Sequence, residues 1–169
     1  MDLNGLLRDL FGRIDEHVRD AVVGLDAEAL VTSLVPGANT IGWLVWHPTR
    51  VEDHHIAEIL GQEQLWVSEG WALHFGVHAD PDNTGYGHTA ADVMTIRPES
   101  ASALLDYYAA VAARTRELLA STTASDLDRV VDRRWDPPVT LGARLVSIAD
   151  DEIQHAGQAC YVRGILERR

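Results

Sequence analysis

Apolar residues recur at three- and four-residue intervals over four long stretches, and this periodicity restricts the chain to packed helices before any other feature is weighed. Leu3, Leu6, Leu7, Leu10, Ile14 and Val18 mark a first helix over roughly residues 3 to 23, with Asp2 as its cap. After the Pro36-Gly37 break, Asn39 or Thr40 can cap a second helix that carries Ile41, Leu44, Val45, Ile56 and Ile59 and ends near Gly61. A third runs from about Glu99 to about Ala120 through Leu104, Leu105, Tyr108, Val111 and Leu118. Thr140, following Pro137-Pro138, opens a fourth that continues to the C-terminus. Asp126 and Asp128 read as a solvated face and the capping region of a short helix.

Between the second and third helices lie about 35 residues, rich in Gly and His and without sustained periodicity. A connection that long permits a crossover, so the third helix need not be the antiparallel neighbour of the second. The expectation is all-α: a four-helix bundle in a single domain spanning residues 1–169, with a long connection between helices two and three. A chain of this length buries roughly 70% of the surface it exposes when unfolded, and needs no covalent staple. Cys160 is the sole cysteine, which rules out an intramolecular disulfide.

A net charge of −12 repels phosphate backbones, and the arginines are scattered, so nucleic acid is not an expected partner. No apolar run approaches the roughly 18 residues of a membrane helix. The N-terminus lacks a basic n-region and a small-residue cleavage site, and the expected location is the cytoplasm.

Chemistry concentrates in two stretches, "WHPTRVEDHHIAEIL" and "ADDEIQHAGQACYVRG". On the fourth helix Leu141, Leu145, Ile148, Ala159, Val162 and Leu166 define an inward stripe, with His155 near its centre and Asp151 and Glu152 on its flanks. A carboxylate facing a core is costly unless paired or metal-bound. His155 therefore reads either as a hydrogen-bonded core histidine or as a metal ligand. On the second helix Glu52 and His55 fall on the stripe, while His47 and His54 sit on its flank; Pro48 can kink the helix and shift this register. Glu52-x-x-His55 and Glu152-x-x-His155 repeat the pair used by ferritin-like di-iron proteins. Such a site also needs a Glu from each remaining helix, and the neighbourhoods of Phe11 and Ala109 supply no obvious inward one. His74, His78 and His88 read as surface loop histidines, with a substrate lid as the alternative. Arg50 and Arg163 read as solvated or ion-paired, with an anion grip as the alternative. The five tryptophans, Trp43, Trp46, Trp66, Trp71 and Trp135, suit bundle packing, or an apolar pocket.

The segments "NTIGWLVWHPTRVEDHHIAEILGQEQLW" and "TLGARLVSIADDEIQHAGQACYVRGIL" resemble the DinB/YfiT-like superfamily, and within it the actinobacterial branch related to mycothiol-dependent enzymes. The resemblance covers essentially the whole chain and implies up-down-down-up helix order. It also implies a metal held by a histidine of the second helix and by two residues four apart in the fourth, which become His47, Asp151 and His155. Where that branch carries Glu-x-x-x-His, this chain has Asp151, so either the metal sits closer to the helix or Glu152 substitutes. Zinc or nickel suits the nitrogen-rich donors, with mycothiol as thiol cosubstrate and a small molecule as its acceptor. The implied activity is metal-dependent activation of a low-molecular-weight thiol for transfer or isomerisation; the competing reading is a non-catalytic stress-linked or partner-binding bundle. The superfamily and the Trp-rich helices together suggest a homodimer.

Overall fold

A computed structural model describes residues 1–168 of the chain. Among the described residues seven α-helices appear in chain order: α1 (Leu3–Val22), α2 (Ala27–Leu30), α3 (Ile41–Leu60), α4 (Leu65–Ser68), α5 (Ala90–Val93), α6 (Ala101–Ser121) and α7 (Leu141–Leu166). The four long ones are those that the apolar spacing predicts. Their caps are side-chain oxygens that accept from orphan backbone N–H groups: Asp2 from Gly5, Thr40 from Trp43, Ser100 from Ala103 and Thr140 from Ala143. Gly61, in the left-handed region at φ 64°, terminates α3.

Contacts along the helices fix their directions. Asn4, at the start of α1, bonds the Ala120 carbonyl at the end of α6, so these two are antiparallel. Cys160 and Arg163, late in α7, reach the carbonyls of His17 and Asp20, late in α1, so α1 and α7 are parallel. His47, early in α3, faces Asp151 of α7, while His55, later in α3, meets Arg144 at the start of α7; that pair is antiparallel. Tyr107 of α6 meets Asp53, and Arg114 further along meets Glu63, so α3 and α6 run the same way. The order is up-down-down-up, as the resemblance implies.

One element goes beyond an all-α description. Val130–Asp132 (β1) pairs antiparallel with Val139–Thr140 (β2), a short hairpin across the start of α7. A second difference concerns α3. Pro48 does not break it: the helix is continuous from Ile41 to Leu60, and the Thr49 hydroxyl donates to the Val45 carbonyl at 2.7 Å. Every residue from Ile41 to Arg50 is buried, so the first turns of α3 have no solvent face. A helix covered all round carries no stripe to read.

The cover is the connection between α3 and α6, which folds onto the bundle and sinks Trp66, Phe75 and Ile96 into the core. Its anchor is a buried ionic cluster. Asp53 accepts from the backbone N–H groups of Leu65 (2.9 Å) and Trp66 (2.8 Å), from the Tyr107 hydroxyl (3.0 Å) and from Arg50 (3.4 Å). Arg50, wholly buried, lies over the Trp66 ring and donates to Gln64 and to the carbonyls of Asp80, Pro81 and Asn83. Its hydrogen-bonding capacity is spent on the fold, so it is not a grip for substrate. Arg163 likewise donates to the Asp20 and Val23 carbonyls and to Glu167. Among the described residues no helix is long and apolar enough to cross a membrane.

Candidate metal centre

His47 sits on the second turn of α3, 6% exposed, with its ring stacked on Trp43 at 4.7 Å and 11°. Its Nδ1 lies 2.6 Å from the Thr84 carbonyl. A carbonyl only accepts, so Nδ1 carries the proton and Nε2 presents its lone pair. Burial lowers the His47 pKa against the opposing pull of that carbonyl, which favours the neutral ring a metal requires. The chain reaches this position through Gly85, at φ +92°, where a Cβ would stand 2.9 Å from both His47 Nδ1 and the Trp46 ring. Arg50 pins the carbonyls just before it, so the buried cluster under the loop sets the orientation of His47.

On α7 the i, i+4 spacing turns Asp151 and His155 to one side, toward His47. His47 Nε2 is 3.9 Å from Asp151 Oδ2, and His155 Nε2 is 3.6 Å from Asp151 Oδ1. Both are too long for hydrogen bonds, and Asp151 Oδ2 is buried without a partner. One ligand atom from each of the three residues lies within 4.8 Å of the others. A cation bound at about 2.0–2.2 Å to N and O donors holds neighbouring ligands about 3–3.5 Å apart, so this opening suits a metal better than a direct contact. The His47 and His155 rings meet edge to face at 4.9 Å, and Trp43 walls the other side of His155 at 5.7 Å. His47 thus differs from its expected place on a flank, because the loop around residue 85 covers the side of α3 that the helical pattern leaves open.

Glu152 points elsewhere. It is 2% exposed and lies in the core against Glu52, itself 1% exposed, beside the Thr115 hydroxyl. Among the described residues no arginine and no backbone N–H donates to any of the four carboxyl oxygens. Burial, then the Glu52 charge, raises the Glu152 pKa well above the ordinary carboxyl value, and burial raises that of Glu52. Both shifts favour the protonated form, and the second carboxyl of the pair resists ionising beside the first. The two Glu-x-x-His motifs therefore meet through their glutamates alone: His155 turns to Asp151, whereas His55 turns to Arg144 (3.2 Å). Among the described residues neither group of three close ligand atoms contains Glu52 or Glu152, and α6 offers Thr115 where a di-iron site needs a Glu.

A carboxyl whose pKa is raised on folding costs nothing below its unfolded value, about 4.3, and progressively more as pH rises toward the folded value. Glu152→Gln keeps the shape and removes the titration. We expect the metal-free variant to gain roughly 1–3 kcal/mol at pH 7 and nothing at pH 4. Denaturant unfolding at both pH values checks this; an equal change at both contradicts a raised carboxyl pKa.

A cleft opens from this site to solvent. Its inner chamber, about 370 Å³, is lined by His47, Asp151, His54, His55, Thr84 and Tyr86, among others. A second group of close donors, His54, His55 and Glu58, borders the cleft. Its members are already engaged by Gln64, Arg144 and Arg134 respectively, and burial followed by the Arg144 charge pushes the His55 pKa down to about 3. Positive charge at that spot opposes a cation. Of the loop histidines, His74 and His78 are exposed as expected. His88 is not a free surface residue: it accepts from Trp43 Nε1 (3.1 Å), bonds Asn83 (2.8 Å) and stacks on Trp46. Trp43, Trp46 and Trp66 are buried, packed in the core and along the walls of the site.

The profile of the mycothiol-S-transferase family matches residues 6–167. Comparison with curated proteins returns no match. Among solved structures, the chain is similar to a conserved protein from Enterococcus faecalis, known from a crystal structure. The two share 28% identity and a TM-score of 0.90, over 100% of this chain and 99% of the other. With 162 of its positions inside one profile, reading 6 to 167 inclusive, the chain belongs to the mycothiol-S-transferase family.

Proposed function

We propose that the protein joins mycothiol, through its sulfur, to a small electrophile, at a single divalent metal held by His47, Asp151 and His155. The observation that carries this reading is the ligand geometry of His47: a buried neutral imidazole, fixed by a main-chain acceptor, aims Nε2 at a carboxylate that has no hydrogen-bond partner of its own on one oxygen. Three protein donors leave positions open on a four- to six-coordinate ion, the arrangement of catalytic rather than structural sites. The metal, when bound, supplies positive charge that lowers a thiol's pKa. The protein's own residues do the rest. Thr84 and Trp43 fix His47, Trp43 walls His155, and the cleft admits the thiol and its acceptor from solvent. The transfer forms an S–C bond, the displaced group leaves with the bonding electrons, and the thiol proton is released to solvent. Zinc or nickel fits two imidazoles and one carboxylate.

The test is metal analysis of protein purified without a polyhistidine tag, followed by mycothiol consumption with an electrophile before and after chelation. About one divalent transition metal per chain, with turnover lost on chelation and regained on reloading, is the expected result. A well-folded, metal-free protein that transfers no thiol supports the non-catalytic bundle instead. Two metals per chain point back to a dinuclear carboxylate site. Metal is also expected to dissociate as pH falls below about 6.5, the ordinary histidine value, because protons compete for the imidazoles.

A further inference from the structure

Beyond the metal centre the cleft widens into an outer chamber of about 530 Å³, which shares His54, His55 and Tyr86 with the inner one. Two large aromatic side chains stand open at its rim: Trp135 is 66% exposed and Tyr86 93%. Both line the chamber rather than lying apart on the surface. Trp135 belongs to the turn of the β1–β2 hairpin, and Tyr86 follows the glycine that packs on His47. Hairpin and loop thus present one ring each to the same opening.

The carboxylates of the chamber are already matched to its arginines. Asp132, 4% exposed, accepts from the Arg134 backbone N–H, from Arg134 Nε and Nη2, and from Arg144 Nη2, at 2.8–2.9 Å. Those bonds, from Arg134 first, hold its carboxyl well below the usual range. Arg134 Nη2 also donates to Glu58, and Arg144 Nη1 meets His55 Nε2. Two guanidinium groups face two carboxylates, and the neighbouring His55 stays neutral, so the local charge closes to zero. An anionic ligand competes with Asp132 and Glu58 for the two arginines and enters a molecule of net charge −12. A cationic one meets the arginines. What the chamber leaves open to a ligand is mainly aromatic surface.

We propose that the outer chamber binds the electrophilic substrate as an uncharged planar group, stacked on Trp135 and closed from the other side by Tyr86. This rests on the thiol-transfer reading for the word electrophile, but the binding is independent of thiol and metal, and is tested without either. Ligand-observed NMR titration with 1,3-dinitrobenzene and with 3,5-dinitrobenzoate uses the whole protein, wild type and the surface variants Trp135→Ala and Trp135→Phe. The neutral ring is expected to bind wild type more tightly than the benzoate. Trp135→Ala is expected to weaken it about tenfold, the size of one aromatic stacking contact, while Trp135→Phe retains most of the affinity. Unchanged binding in Trp135→Ala, or tighter binding of the anion, overturns the proposal. In the transfer assay with mycothiol, Trp135→Ala should raise KM for 1-chloro-2,4-dinitrobenzene and leave iodoacetamide unchanged; an equal loss for both electrophiles also overturns it. Binding that follows the expected pattern with no transfer to either electrophile upholds the chamber and refutes the thiol-transfer reading.

Discussion

Replacing His47 with alanine is expected to abolish metal binding while the bundle stays folded, and replacing His55 is expected to leave the metal in place. His47 supplies one of only three protein donors, and two remaining donors four apart on α7 hold an ion more weakly by at least about 100-fold. The ring is buried and stacked on Trp43, so the variant also loses about 1–2 kcal/mol of stability; it is not the costless flank position that the helical pattern of α3 suggests. His55 makes its contact with Arg144, outside the opening between His47, Asp151 and His155. Metal content of the two variants, measured alongside circular dichroism, decides the matter. Full occupancy in His47→Ala sinks the assignment. Loss of metal in His55→Ala alone favours the glutamate–histidine pairs.

The largest effect on stability is expected from Asp53→Ala. That change leaves the buried Arg50 without its carboxylate, and strips the acceptor from the N–H groups of Leu65 and Trp66 and from the Tyr107 hydroxyl. Breaking a buried pair from one side costs about 3–5 kcal/mol, which for a chain of this size lowers Tm by roughly 10 °C. Asp53→Asn keeps one acceptor oxygen and should lose less. The same network holds the carbonyls of residues 80, 81 and 83, so metal affinity should fall in Asp53→Ala although Asp53 touches no candidate ligand. Calorimetric unfolding of metal-free protein measures the first effect, and metal titration the second. A stability change under about 1 kcal/mol means the cluster does not anchor the loop.

The four long helices are legible from spacing and caps because each presents an apolar face to its neighbours and a short polar side chain to its first turn. α7 reads nearly as well: Glu152, expected on a flank of the stripe, is buried, while His155, expected near its centre, is only half-buried and stands with Asp151 at its border. α3 reads poorly because its first ten residues are covered on every side, by helices on one and by the folded connection on the other. Periodicity reports burial on one face only, so it has nothing to say about His47, and the assignment rests on resemblance. The motifs hold no trace of Thr84, whose contribution is a carbonyl that any residue possesses, or of the electrostatic service of Arg50 and Asp53, which depends on a loop folding back across about thirty positions. The local run "NTGYG" carries the one available signal, since glycines flanked by polar residues mark backbone that must turn sharply. The hairpin at β1 and β2 is too short for alternation to register against the prolines between its strands.

The contact that orients His47 divides the freedom of two adjacent positions very unevenly. Residue 84 acts through its main chain, so a serine, valine or glutamine there delivers the same acceptor, and exchange of its side chain should be nearly silent in metal affinity. Residue 85 has no such latitude: any β-carbon intrudes on the imidazole and on Trp46, in a backbone conformation that L side chains rarely adopt. Libraries built to tune this centre should therefore be degenerate at 84 and closed at 85, and a tally of tolerated substitutions would mark the functional position by the glycine beside it.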